Sequence, residues 1–203
     1  MDMLVKSKSI QELMGHDVIV LIGAPCSGKT TQGKLLADAL DRPYLSPGSL
    51  FRAEVTKGTV FGQQLAAYMD SGETIPNELT TAFLTVKFSD PLYENGMILD
   101  GCPRSASHLV VLENILTNLG RRILAAVYLD VPKAQLDERR VQRGRKDDNA
   151  ITAERRYAIF KEDIAPLLNL LDLKKKLLKI QYTSESSEGV LRRILIELAA
   201  FIS

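Results

Sequence analysis

The run Val18-Ile19-Val20-Leu21-Ile22 sets five apolar, mostly β-branched residues in a row, and a loop bearing Gly23 and Gly28 follows without a spacer. An uninterrupted apolar run of that length reads as a strand buried on both faces. Such a strand needs helices to cover it. A helical pattern does follow the loop, with Leu35, Leu36, Ala39 and Leu40 recurring on one side. Asp41-Arg42-Pro43 closes that helix, because the residue before a proline avoids the helical region.

The same alternation continues along the chain. Tyr44-Leu45-Ser46 reads as a short strand, and residues 48–89 as short helices punctuated by Gly58, Ser71-Gly72 and Pro76. Met97-Ile98-Leu99 is a buried strand ending at Asp100. Leu109, Leu112, Ile115, Leu116 and Leu119 mark an amphipathic helix closed by Gly120. Ile123 to Leu129 is another apolar strand, stopped by Asp130-Val131-Pro132. Charged helical stretches flank residues 144–149, Leu177 to Ile180 is the last strand, and residues 190–202 form a closing helix. Strands alternating with helices predict an α/β fold, a doubly wound parallel sheet of about five strands with helices on both faces. In such sheets ligands bind beyond the carboxyl ends of the strands. Gly23, Asp100 and Asp130 all follow strands, so the chemistry is expected there.

The spacing from Gly23 through Ala24, Pro25, Cys26 and Ser27 to Gly28-Lys29-Thr30 is the phosphate-binding P-loop pattern. Glycines let the backbone wrap around phosphate oxygens, and the N–H groups at the following helix start face the anion. Lys29 adds a full positive charge near the β- and γ-phosphates, and a threonine hydroxyl is available for magnesium. The motif alone would serve a GTPase, a motor or a small-molecule kinase.

Composition excludes little beyond this. At 203 residues, the chain is read as one domain, with residues 1–16 an extension, helical or loose, before the first strand. Lys and Arg number 26 against 25 Asp and Glu, a balance that calls for neither a nucleic-acid nor a membrane partner. No apolar run is long enough to span a bilayer and the first residues lack a signal-peptide core. The two cysteines, Cys26 and Cys102, form no framework, which favours a reducing compartment, the cytoplasm. The chain is expected to act as a monomer.

Further motifs carry a resemblance. Gly23 to Thr30 followed by Thr31-Gln32 resembles the loop of nucleoside monophosphate kinases. Ser46-Pro47-Gly48-Ser49-Leu50-Phe51-Arg52 is similar to the start of that family's monophosphate-binding helices, and Gly72-Glu73-Thr74-Ile75-Pro76 to the turn lining its base pocket. Asp100-Gly101-Cys102-Pro103-Arg104 matches its Asp-Gly-aromatic-Pro-Arg signature. Arg139, Arg143, Arg145, Asp147, Asp148 and Arg156 resemble its lid and the helix after it. The likeness runs in order from Val18 to the C-terminus, and within the family it is nearest the adenylate kinases of short-lid type. It implies small inserts, the acceptor-binding one at residues 46–75 and the lid at 143–149. It also implies transfer of a phosphoryl group from ATP to AMP, with magnesium and without zinc, the lid having no cysteine.

On that resemblance the ATP site comprises Gly23, Pro25, Cys26, Ser27, Gly28, Lys29, Thr30, Thr31, Arg139 and Arg143. The AMP site comprises Pro47, Gly48, Arg52, Glu73, Thr74, Ile75, Gly101, Arg104, His108, Arg145 and Arg156. Lys29, Arg104, Arg143, Arg145 and Arg156 would act on the transferring group. Thr30 or Thr31 would bind magnesium directly and Asp100 through water. The rival reading of Arg139, Arg140 and Arg143 is a solvated helix face, and Asp147-Asp148 could equally cap the following helix.

Several positions depart from the family pattern. Cys26 and Thr30 replace loop glycines, Pro47 a threonine, Ser49 an aspartate, Cys102 an aromatic residue, and His108 the glutamine that reads adenine. These changes keep open a UMP/CMP-type kinase and a degenerate homologue that acts through a protein partner.

Overall fold

Five strands pair in parallel in the order β2-β3-β1-β4-β5: β1 Val18–Gly23, β2 Tyr44–Leu45, β3 Met97–Asp100, β4 Ile123–Asp130 and β5 Leu177–Gln181. The structure is a computed structural model and describes residues 3–73, 75–143 and 150–202. The apolar runs fill the middle of this sheet because both faces are covered. Val18, Val20 and Ile22 of β1, with Leu99 of β3, enter one core layer. Ile19 and Leu21, with Ile98, enter the other. This is the period-two alternation of a pleated strand, here apolar in both phases.

The first layer is closed by α5 Asn77–Phe88, α6 Ala106–Asn118 and α8 Ala150–Leu173, through Leu84, Phe88, Leu109, Leu112, Leu116, Leu167 and Leu171. The second is closed by α1 Met3–Met14, α2 Lys29–Ala39 and α9 Ser187–Ile202. The N-terminal segment is therefore a helix that feeds the core. Ile10 and Met14 are buried beside Leu195 and Leu198, and each such side chain contributes about 1.5–3 kcal/mol by leaving water.

Between β2 and α5 the chain makes a helical pair, α3 Pro47–Lys57 and α4 Val60–Ser71. Pro47 opens α3, where its missing N–H is harmless. Gly58 ends it in the left-handed region, with φ 67°. Thr59 then caps α4 by accepting from the Gly62 amide at 2.9 Å. The two helices cross at Gly62, where a Cβ would lie 2.1 Å from the Glu54 carbonyl oxygen. Phe51, Phe61 and Phe83 tie the pair to α5, with Phe61 and Phe83 stacked at 5.7 Å between ring centroids. Gly62→Ala is expected to force the helices apart and lower stability by about 1–3 kcal/mol. An unchanged denaturant midpoint would show that the crossing yields freely.

The remaining helix, α7 Lys133–Arg143, leaves the carboxyl end of β4. β1, β3 and β4 each run one residue beyond their apolar run, so Gly23, Asp100 and Asp130 sit at the last rungs of the sheet. That edge is where the loops gather.

Candidate active site

β1 delivers Gly23 into the loop and α2 begins at Lys29. A Cβ on Gly23 would lie 2.7 Å from Ser27 Oγ and 2.9 Å from the Leu129 carbonyl, so this position requires glycine. Lys29 Nζ donates to the carbonyls of Gly23 at 2.8 Å and Ala24 at 2.7 Å, and lies 3.4 Å from Ser27 Oγ. Cys26 has φ 67°, a left-handed conformation that costs a side chain about 1–2 kcal/mol and a glycine almost nothing. The departure from glycine there thus sits on a turn that still has glycine geometry.

Asp100 is buried at the end of β3, beside Leu21 of β1. Two hydroxyls converge on its Oδ2, Thr30 Oγ1 donating at 2.9 Å and Tyr44 Oη at 2.5 Å. They fix the carboxylate's orientation at the foot of the phosphate loop. Burial, reinforced by the hydrogen bond to Asp100, pushes the Tyr44 phenol above the ordinary tyrosine range, so it remains a donor at neutral pH. Thr31 faces solvent on the first turn of α2.

At the other end, Gly48 lies on the first turn of α3. A Cβ there would meet Arg104 Nη2 at 3.5 Å and Arg52 Nη1 at 3.6 Å. Two guanidinium groups thus converge on a bare backbone position. Arg104 Nε donates to the Gly101 carbonyl at 3.1 Å, and Arg52 Nη2 to Ser49 Oγ at 3.0 Å. Ser49 therefore orients an arginine in this chain. Pro47 is buried on the same first turn of α3.

His108 is buried on α6, its Nε2 3.8 Å from Cys102 Sγ. Burial, with Arg104 nearby, pushes the imidazole down from 6.5 to about 4. Burial likewise pushes the Cys102 thiol up to about 12, so both groups are neutral at pH 7. In the unfolded chain the ring takes a proton near pH 6.5. Stability is therefore expected to fall as pH drops from about 6.5 toward 4, by about 3 kcal/mol from this residue, with no such contribution above that window. His108→Gln should flatten that limb of a urea-midpoint profile. Equal slopes for parent and variant would show that the ring is not held neutral.

On the facing wall, Arg139 Nη1 of α7 donates to the Ser27 carbonyl at 3.2 Å. From α8, Arg156 Nη2 donates to the Met69 carbonyl at 3.1 Å, and Arg155 pairs with Glu73 at 2.6 Å. Gly72 passes so close to α8 that a Cβ would lie 2.9 Å from Thr152 Cγ2. The start of α8 is thereby joined to the end of α4.

The phosphate loop, Asp100, both converging arginines, His108, Arg139 and Arg156 line one cleft of about 740 Å³, within the range of small-molecule sites. Gly23, Pro25, Cys26, Ser27, Gly28, Lys29, Thr30, Thr31 and Arg139 form one end. Pro47, Gly48, Arg52, Glu73, Ile75, Gly101, Arg104 and His108 form the other, with Asp100 and Arg156 also on the lining. Thr74, Arg145, Asp147, Asp148 and the side chain of Arg143 lie outside the described residues. Tyr44 was not among the residues expected from sequence. Its role depends on β2 lying beside β3, which no local pattern announces.

A model of the adenylate kinase family matches residues 21–176. The chain belongs to that family. An adenylate kinase of Corynebacterium urealyticum is 38% identical over 151 residues, covering 74% of this chain and 83% of the relative. One from Nocardia farcinica is 35% identical, covering 76% and 85%. One from a Cyanothece strain is 36% identical over 174 residues, covering 84% and 89%. Adenylate kinase membership accounts for the parallel sheet and for the order in which its motifs occur along the chain.

Proposed function

We propose that this adenylate kinase family member catalyses reversible, magnesium-dependent transfer of the terminal phosphoryl group of ATP to AMP, giving two ADP. The observation that carries the reading is the convergence of Arg52 and Arg104 at Gly48, in the same cleft as the phosphate loop. Paired planar forks suit a phosphate acceptor. Phosphoryl transfer rests on alignment and charge neutralisation rather than covalent chemistry. The acceptor is already an anion, so no side chain need remove a proton from it.

In this reading the backbone of residues 23–28 and Lys29 hold the donor phosphates, with Arg139 and Arg143 beside them. Arg104, Arg145 and Arg156 act on the transferring group. Residues 46–75 form the acceptor insert and residues 143–149 the lid. Glu73, Thr74, Ile75 and His108 border the acceptor base.

Hydroxyl and carboxylate oxygens at Thr30, Thr31 and Asp100 are the hard donors magnesium prefers, and that ion keeps several waters. Thr30 donates its proton to Asp100 and keeps its oxygen lone pairs for a cation. Thr30 or Thr31 would make the direct contact and Asp100 the water-mediated one. Bound there, magnesium would neutralise phosphate charge.

Among the described residues no helix is long and apolar enough to cross a membrane. Neither cysteine is in a disulfide, which supports action in the cytoplasm, and we take the chain to act as a monomer on small nucleotides. Assay with Mg-ATP and each of AMP, CMP, UMP and GMP tests the proposal. Diphosphate should form with AMP. Preference for CMP or UMP, or no turnover despite ATP binding, would overturn it.

A further inference from the structure

Tyr182 stands immediately past β5 and is held from several sides. Its amide donates to the Asp130 carbonyl at 2.8 Å, continuing the sheet by one rung. Its hydroxyl donates to Gln135 Oε1 at 3.0 Å. Its ring lies 5.4 Å from the Cζ of Arg139. Gln135 and Arg139 are four residues apart on α7 and so share a face. The tyrosine grips that face at two successive turns.

The same arginine reaches the phosphate loop, donating to the Ser27 carbonyl at 3.2 Å and passing 3.6 Å from where a Gly28 Cβ would stand. Arg139 is thus held between an aromatic ring and the loop. A guanidinium on a long stem loses rotamer freedom when a ligand fixes it, and ordering it beforehand lowers that cost. An aromatic face attracts the cation and leaves its N–H groups available.

We infer that Tyr182 is a positioning residue for Arg139, and that it tightens binding of a nucleoside triphosphate by holding the guanidinium over the phosphate loop in advance. The inference rests on the proposed reading of that loop as the ATP site. It does not depend on the acceptor.

A double-mutant cycle tests it, with dissociation constants for Mg-ATP measured by calorimetry on the full chain. Tyr182→Leu is expected to weaken binding by about fivefold to tenfold, the range for a partly shielded cation–ring contact. In an Arg139→Ala background the same change should have less than about a twofold further effect, because coupled residues are not additive. Tyr182→Phe keeps the ring and should stay within about twofold of the parent. Equal weakening in both backgrounds would mean that the ring acts on the nucleotide itself, and would overturn the inference. So would a Tyr182→Phe variant as weak as Tyr182→Leu, or a Tyr182→Leu variant with parental affinity. Thermal unfolding of each variant checks the fold, and Tyr182→Met replaces Tyr182→Leu if the latter does not fold. Absence of AMP turnover with the cycle intact would sink only the proposed reaction. An additive cycle in an active enzyme would sink only the role of Tyr182. A parent that fails to bind Mg-ATP would sink both.

Discussion

Replacing Lys29 with methionine is expected to cut turnover by about a hundredfold to a thousandfold, the usual loss when a fixed donor to developing charge is removed. The lysine lies at the start of α2, and its ammonium is held by the carbonyls of Gly23 and Ala24. Those carbonyls hold the charge at the mouth of the loop, where the donor phosphates are proposed to sit. Methionine preserves the stem's bulk and removes the charge. The exchanged hydrogen bonds are partly exposed, so the stability change should be only about 1–2 kcal/mol. Steady-state turnover alongside circular dichroism separates the two effects. A folded variant with the parent's rate would remove the phosphate loop from the mechanism.

Arg104→Ala is expected to lower kcat/KM for AMP by about tenfold to a hundredfold while Mg-ATP affinity persists, since a hydrogen bond to a charged group commonly contributes about 1.5–3 kcal/mol. Its guanidinium is positioned by the Gly101 carbonyl and stands beside that of Arg52 across Gly48. Arg104→Lys should recover only part of the loss, because an ammonium is a point charge without the planar fork. Equal loss of affinity for both nucleotides would place Arg104 between the two ends of the cleft and not at the acceptor end.

These two residues were legible in the sequence because each belongs to a motif whose neighbours also match. β1, β3 and β4 were legible for a different reason: their apolar runs have no polar phase to mislead. What local pattern does not carry is adjacency. Tyr44 reaches Asp100 across 56 positions of sequence, and Tyr182 reaches Gln135 across 47. Both contacts follow from sheet order and from where α7 leaves β4. The hydrogen bond from Thr30 to Asp100 spans 70 positions and likewise follows from β1 lying beside β3. Ser49, which replaces an aspartate of the family pattern, accepts from Arg52. Substitution patterns show what is missing, whereas geometry shows what the replacement touches.

The packing of α1 bears on how this chain can be cut. The segment matched by the family model, residues 21–176, contains the phosphate loop, both converging arginines and α7. It omits α1, half of β1, and all of β5 and α9. Two of the three helices covering one face of the sheet belong to those omitted ends. A fragment trimmed to the recognisable stretch would present bare apolar strands to water, and such strands favour self-association over a working fold. In this chain the stretch that the family model outlines is smaller than the stretch that builds the core.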